Sequence, residues 1–187
     1  TADAKVGNDV ITDLSGNNII IAGQGEDTIT TGAGDDVIIG DYGLMTFSAA
    51  GIFESLVVTD FTNGTKDMIK AGNGNNIIAG ATGDDEIEAG SNRDIILGDG
   101  GSLTFTAGVL TNATSTAIES GNDTITVLDG DNVILGGWGD DNIKTGDGGD
   151  IVLADSGEMV LSNGILQRFN AASASIGDDT VNLGNGH

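Results

Sequence analysis

The chain has 187 residues, the size of one domain, and carries 29 acidic against 6 basic residues for a net charge of −23. This charge excludes nucleic acid and anionic membrane surfaces as partners, because both require basic patches. The chain has no cysteine, which excludes disulfide and thiolate chemistry, and no apolar run approaches the ~20 residues of a membrane span.

A short pattern recurs every nine residues. In each copy an Asp or Asn stands two places before a large aliphatic residue. Glycine is unusually frequent, with 32 of the 187 residues, whereas its usual share is about 7%. In chain order, the aliphatic positions are Ile11, Ile20, Ile29, Ile38, Ile69, Ile78, Ile87, Ile96, Ile125, Ile134, Ile143, Val152 and Val181. A disordered acidic chain would not keep this register, so the pattern indicates a repeat architecture.

A longer period contains the shorter one. Four nonapeptides and an insert of 20 to 22 residues make one larger repeat. The inserts start at GDYG (40–43), GDGG (98–101) and ADSG (154–157), and each continues as an apolar run, a Gly-containing turn and a second apolar run. This order is typical of a β-hairpin.

We expect one domain over 1–187, with larger repeats at about 7–63, 64–120 and 121–176 and the start of a fourth at 177–187. The nonapeptide pattern continues to both ends of the sequence, so we expect this sequence to be a piece of a longer chain.

The clearest nonapeptides are AGQGEDTIT (22–30), TGAGDDVII (31–39), GATGDDEIE (80–88) and GGWGDDNIK (136–144). They resemble the motif G-G-x-G-x-D-x-U-x of the RTX (repeats-in-toxin, hemolysin-type) family, a calcium-binding repeat of β-helical proteins. The resemblance covers nearly all of the chain except the inserts. It implies an all-β, right-handed parallel β-roll in which each nonapeptide is half of an 18-residue coil and several Ca²⁺ ions lie between stacked turns.

The residue types suit such sites. Ca²⁺ takes six to eight oxygen ligands from carboxylates and backbone carbonyls, and glycine permits the positive φ angles that let carbonyls converge. We expect ligands among the motif aspartates, the turn glycines and the aspartates that open the inserts. These are Asp9, Asp27, Asp36, Asp67, Asp85, Asp94, Asp123, Asp141, Asp150 and Asp179; Gly23, Gly25, Gly32, Gly34, Gly137, Gly139, Gly146 and Gly148; and Asp41, Asp99 and Asp155. For the insert aspartates, a turn-forming role is the alternative.

The second nonapeptide of each larger repeat departs from the motif, because it carries Asn18, Asn76 or Asn132. These residues fall on the same side of the coil as Asp36, Asp94 and Asp150, so that side alternates amide with carboxylate. An asparagine can donate as well as accept a hydrogen bond. A ladder between turns without metal is therefore the alternative to a calcium site there.

The residues beside each aliphatic position predict what the sheets face. Odd-numbered nonapeptides have polar or mixed neighbours, such as Glu86 and Glu88, whereas even-numbered ones are apolar, such as Ile95 and Leu97. The outer face of the sheet formed by the odd-numbered nonapeptides should face water, whereas the apolar outer face of the other sheet must be buried under another element. We expect the hairpins to pair edge to edge into a third sheet over the apolar one. We expect the second core to be formed by Met45, Phe47, Leu103, Phe105, Met159 and Leu161.

The function we expect is a secreted, calcium-dependent structural module with no catalytic role. The resemblance implies type I export and a place as a rigid spacer or stabiliser beside other domains of an adhesin- or toxin-like surface protein. Paired acids such as Asp84 and Asp85 resemble the pair of a glycosidase, but they recur with the repeats. His187, the only histidine, is interpreted as a frayed end.

The alternative is a calcium-dependent polysaccharide-binding module. Tyr42 and Trp138 occupy the same turn position in different repeats, and we expect both rings to be exposed, where they could stack on sugar rings.

Overall fold

A computed structural model describes residues 7–59, 64–115, 121–172 and 177–186, and every regular element in these ranges is a β-strand. In chain order the strands are β1 (Val10–Ser15), β2 (Ile19–Ile21), β3 (Thr28–Ala33), β4 (Val37–Ile39), β5 (Gly43–Phe47), β6 (Phe53–Val58), β7 (Met68–Lys70), β8 (Ile77–Ala81), β9 (Glu86–Ala89), β10 (Ile95–Asp99), β11 (Gly101–Thr106), β12 (Val109–Ser115), β13 (Thr124–Val127), β14 (Val133–Gly137), β15 (Asn142–Lys144), β16 (Ile151–Asp155), β17 (Gly157–Ser162), β18 (Ile165–Ala171) and β19 (Thr180–Asn182). No helix that could span a membrane occurs in these ranges.

Two parallel sheets form the solenoid. The polar sheet has the order β1-β3-β7-β9-β13-β15-β19, and the apolar sheet has the order β16-β14-β10-β8-β4-β2. Successive nonapeptides alternate between the two sheets, so one coil takes two nonapeptides. The register pairs each aliphatic motif residue with its counterpart one coil away, as in Ile87 with Ile125 and Ile78 with Ile96. The β-roll predicted from the sequence is confirmed.

The first core lies between these two sheets. It is a stack of the aliphatic motif residues, and nearly all of them are fully buried away from the two ends. Each is the second residue of its strand, and alternation along a strand sends its side chain to the opposite face from its two neighbours. A single large aliphatic residue per nonapeptide is therefore enough to fill this core.

The three inserts form a third, antiparallel sheet, the hairpin sheet, with the order β18-β17-β12-β11-β6-β5. Each hairpin leaves the end of an apolar-sheet strand, and neighbouring hairpins pair through β6–β11 and β12–β17. Two hairpins turn through residue pairs with positive φ, Ala107–Gly108 and Asn163–Gly164, as two-residue hairpin turns require. The prediction that the hairpins join into one sheet is confirmed.

The hairpin sheet covers a second core on the outer face of the apolar sheet. Leu103, Phe105, Met159 and Leu161 are buried there, and Met45 packs against them while remaining partly exposed. The placement of Phe47 in this core was wrong, because its side chain is 40% exposed. It lies at the end of the edge strand β5 and makes only an edge-to-face contact with Phe53, at 5.4 Å between ring centroids.

Cover of the apolar sheet is incomplete at its first strand. Ile19 and Ile21 in β2 are 61% and 44% exposed, although their apolar character predicts a covered position. In the described ranges, the hairpin sheet ends at β5 on this side, and β2 is the edge strand of the apolar sheet. On the polar sheet, Glu88, Thr124 and Lys144 are exposed, which confirms that its outer face meets water.

The boundaries predicted between larger repeats fall within 60–63, 116–120 and 173–176, outside the described residues, as does His187. The division into larger repeats therefore stays a prediction.

Leu103→Ala tests the second core. Leu103 is fully buried opposite Leu56 and Ala113, so truncation should lower the free energy of unfolding by about 2–5 kcal/mol. Leu44→Ala is the matched control, because Leu44 is 55% exposed and its loss should change the free energy by less than ~0.5 kcal/mol. Urea unfolding in saturating calcium measures both. Equal effects would contradict a packed second core.

Candidate metal centres

One edge of the solenoid is lined by aspartates alone. These residues, which we call the aspartate edge, open the strands of the polar sheet: Asp9, Asp27, Asp67, Asp85, Asp123, Asp141 and Asp179. Each of the first six donates its backbone N–H to Oδ1 of the aspartate one coil further on, at 2.7–2.9 Å between nitrogen and oxygen. This chain of hydrogen bonds engages Oδ1 of every aspartate from Asp27 to Asp179 and leaves Oδ2 outside the ladder.

The second oxygen of these carboxylates has no donor. Oδ2 is buried and without a hydrogen-bond partner in five members of the edge, which are Asp27, Asp67, Asp85, Asp123 and Asp141. The five residues are at most 2% exposed. A buried carboxylate oxygen without a partner is strongly unfavourable unless a cation lies beside it. These orphaned oxygens are the strongest structural indication of a metal.

Carbonyl oxygens converge on the same places. A Cβ atom on Gly80 would collide with Asp85 Oδ2 and would lie 2.5 Å from the carbonyl oxygen of Gly98, one coil further on. Gly98 has the same relation to Asp123 Oδ2 and to the carbonyl oxygen of Gly136, again at 2.5 Å. A carboxylate oxygen and a carbonyl oxygen therefore both border the space beside the Cα atom of each of these glycines. Both are acceptors, and they are the oxygen types that Ca²⁺ prefers.

The electrostatics agree with the need for a cation. Burial, with added repulsion from Asp41 and Asp27, raises the pKa of Asp67 to about 8 from an ordinary 3.8. Burial raises the pKa of Asp141 to about 7, with Asp179 and Asp155 contributing repulsion. Burial raises the pKa of Asp85 well above the ordinary value, with added repulsion from Asp123. Burial does the same for the pKa of Asp123, with added repulsion from Asp99. Without a metal, protons are the only cations that can relieve these carboxylates.

The opposite edge, which we call the mixed edge, alternates amides and carboxylates in the order Asn18, Asp36, Asn76, Asp94, Asn132 and Asp150. Backbone N–H groups again donate to the next side chain, for example Asp36 N to Asn76 Oδ1 at 3.1 Å and Asn76 N to Asp94 Oδ1 at 3.0 Å. Oδ2 of Asp36 and of Asp94 is buried without a partner, and burial raises the pKa of Asp94 to about 7. Asp36 and Asp94 therefore each have a buried oxygen without a donor, as the inner aspartates of the aspartate edge do.

The insert aspartates connect the roots of the hairpins to neighbouring turns. Asp41 Oδ2 accepts hydrogen bonds from Thr82 N and Oγ1, at 3.2 and 3.1 Å. Asp99 accepts one from Gly121 N at 3.2 Å and another from Trp138 N. Burial, with repulsion from Asp141 and Asp84, raises the pKa of Asp99 to about 8. These residues thus join adjacent turns and also add negative charge near the aspartate edge. Their role as calcium ligands stays a prediction.

Asp155, the third insert aspartate, is half-buried and pairs with Gly137 between β14 and β16.

The turn glycines allow the coils to stack closely. Gly139 has a φ of +118°, and a Cβ there would collide with the carbonyl oxygen of Gly121 one coil below. Collisions with a neighbouring coil occur equally for a Cβ at Gly25, Gly32, Gly34, Gly137, Gly146 and Gly148. Gly23 differs, because its nearest atom is Tyr42 Cε1 at 4.0 Å, but its φ of +105° still favours glycine.

Not all of the predicted ligands are equally placed. Asp9 is exposed on the first coil, and Asp150 and Asp179 are half-buried. Sequence reasoning missed the carbonyls of Gly80, Gly98, Gly136 and Ala154, each at the next-to-last position of an apolar-sheet strand. The available signal was their place five residues before an edge aspartate in the uninterrupted turns. Within the described ranges, no three acidic or histidine side chains meet as a ligand group. Any ion there must therefore take backbone carbonyls as well.

Comparison with known proteins agrees with this geometry. A search of curated proteins and a search of solved structures gave no match. The family model of the RTX calcium-binding nonapeptide repeat, in four copies, matches residues 3–43, 70–102 and 119–152, more than half of the chain. RTX nonapeptide repeats bind Ca²⁺, and several repeats imply several ions. The chain belongs to the family of RTX calcium-binding nonapeptide repeats and is a calcium-binding structural module.

Proposed function

We propose that this module folds when Ca²⁺ enters its turns after secretion and then acts as a rigid spacer or stabiliser in a large extracellular or cell-surface protein. The observation that carries the proposal is the row of buried aspartate Oδ2 atoms without hydrogen-bond donors. In the bound form, these oxygens and the carbonyls of Gly80, Gly98 and Gly136 would hold the ions. The bound cation supplies positive charge that lets acidic turns stack.

Folding and calcium binding should be coupled. With a net charge of −23, the chain repels itself, and stacking adds the cost of burying carboxylates. Ions that bind only the folded state stabilise it by mass action. In a cytosol poor in calcium the chain would stay extended, which suits export through a type I channel, and calcium outside the cell would fold it.

The architecture suits a spacer or stabiliser. The polar sheet runs unbroken through seven strands of the described ranges, and each coil bonds to the next through both edges, so bending would break several hydrogen bonds at once. RTX repeats occur in secreted bacterial proteins. We therefore place the module beside the domains of an adhesin- or toxin-like protein and assign it no catalytic role.

Polysaccharide binding remains the second candidate from the sequence, but the described residues favour it less. Tyr42 and Trp138 are half-buried rather than exposed as predicted. The Trp138 backbone N–H donates to Asp99, and one edge of the Tyr42 ring lies near Gly23. Partial burial reduces the surface of both residues that is available for stacking on a sugar.

Calcium titration of the EGTA-treated chain tests the proposal. We expect the β-sheet signal in circular dichroism to rise cooperatively with calcium. Asp27→Ala should destabilise the calcium-bound form by about 1–3 kcal/mol, because Asp27 is buried and accepts the Asp9 N–H. Glu26→Ala is the matched control, since it removes the same charge from an exposed neighbour. A sheet signal unchanged by EGTA would contradict calcium-dependent folding.

The raised pKa values predict that stability without calcium and affinity for calcium change in opposite directions with pH. Because Asp67 and Asp141 have a pKa of about 8 and about 7 when folded and 3.8 ordinarily, the folded state binds extra protons. In EGTA, stability should therefore be greatest near pH 4 and should fall as pH rises towards 8. In calcium, protons compete with the metal, so calcium affinity should rise over the same range. Urea unfolding at several pH values measures both, and metal-free stability that increased with pH would contradict the assignment.

A further inference from the structure

The asparagines of the mixed edge donate hydrogen bonds from their side-chain Nδ2 atoms to oxygens of their own turn and of the next coil. Asn76 Nδ2 donates to the carbonyl oxygens of Gly72 and Gly74, at 3.1 and 3.3 Å, and to Asp94 Oδ1 at 2.9 Å. Its two hydrogens are thus shared among two carbonyls of its own turn and the carboxylate of the next coil. All of these acceptors are oxygen atoms of the types that calcium would take.

Asn76 Nδ2 also occupies the place that Oδ2 has in the aspartates. Asn76 Oδ1 accepts the N–H of Asp36 from the preceding coil, just as Asp85 Oδ1 accepts the N–H of Asp67. With that oxygen fixed, the second terminal atom of each side chain points into the gap before the next coil. In Asp85 this atom is an orphaned oxygen, whereas in Asn76 it is a nitrogen that carries two protons to the surrounding oxygens.

The arrangement recurs in every larger repeat. Asn132 Nδ2 donates to Asp150 Oδ1 at 2.9 Å and to the carbonyl oxygen of Gly130 at 3.3 Å. Asn18 Nδ2 donates to Asp36 Oδ1 at 3.0 Å and to the carbonyl oxygen of Gly16 at 2.9 Å. The following gaps are different, because Asp36 Oδ2 and Asp94 Oδ2 are buried without a donor.

We infer that the asparagine amide takes the place of a calcium ion in one gap of each larger repeat. The gaps Asn18–Asp36, Asn76–Asp94 and Asn132–Asp150 bind no metal and are closed by hydrogen bonds. The gaps after Asp36 and Asp94, and those of the aspartate edge, take ions. This inference rests on the proposed function, since it divides the interturn gaps of a calcium-binding solenoid into two chemical kinds. In the folded chain, gaps closed by amides would hold neighbouring coils together without an ion of their own.

Counting bound calcium in single-residue variants tests the inference. The intact chain is saturated with calcium, and bound ions are counted by native mass spectrometry and by equilibrium dialysis. Asn76→Asp should increase the count by one and should make the metal-free chain less stable, because an orphaned Oδ2 replaces the donor. Asn76→Ala removes the amide without adding charge and should leave the count unchanged. If Asn76→Asp failed to fold, Asn18→Asp in the more exposed first coil should show the same gain.

The reverse exchange separates the inference from the proposed function. Asp85→Asn should lower the count by one and raise stability in EGTA, because an amide would then reach the Gly80 and Gly98 region. A wild-type chain that bound no calcium would overturn the proposed function and the inference together. A wild-type chain that lost one ion on Asp85→Asn but gained none on Asn76→Asp would overturn the inference alone. Loss of an ion on Asn76→Ala would likewise overturn it, because Asn76 would then be a ligand.

Discussion

The stacking of turns at strand spacing is the constraint on which this structure depends. Adjacent strands lie about 4.8 Å apart, so the turns that join them must approach equally closely. At that distance, the carbonyl and carboxylate oxygens of neighbouring coils meet, and glycine is needed wherever a Cβ would strike the coil below, as at Gly139. Close stacking thus creates a row of oxygen atoms that only protons, amide hydrogens or metal ions can neutralise.

The two edges of the solenoid solve this problem differently. On the aspartate edge, the N–H ladder satisfies one oxygen of each of the five inner carboxylates and leaves the other buried and unpaired, as in Asp85 and Asp123. On the mixed edge, every second side chain is an asparagine whose amide group donates hydrogen bonds to the nearby oxygens, as Asn76 does. The buried oxygens of the aspartate edge therefore need an external cation, whereas some of those on the mixed edge are satisfied by the asparagine amides. A chain built in this way can respond to calcium without depending on it at every turn.

The apolar residues supply a complementary source of stability. The first core needs one aliphatic residue per nonapeptide, and the second core forms only when the hairpins cover the apolar sheet. Leu103 and Met159 belong to different hairpins, yet both lie in the same core. Each hairpin is therefore held by its neighbours as well as by the coil from which it leaves. Coupling of this kind extends cooperation over more than one nonapeptide.

The sequence by itself determined the strand, turn and core positions, because a strict nonapeptide register specifies them through local chemistry. The resemblance of its motif to the RTX repeat added the coil and calcium binding. The sequence also predicted the hairpin sheet from the spacing of the inserts. Only the tertiary structure decided which oxygen of each aspartate is orphaned, that Asn76 donates into its gap, and that Asp99 ties a hairpin root to Gly121 and Trp138. It also left Phe47 and Ile19 exposed at an edge. These features depend on which residues lie one coil away and on where a sheet ends, and a local pattern carries no information about either.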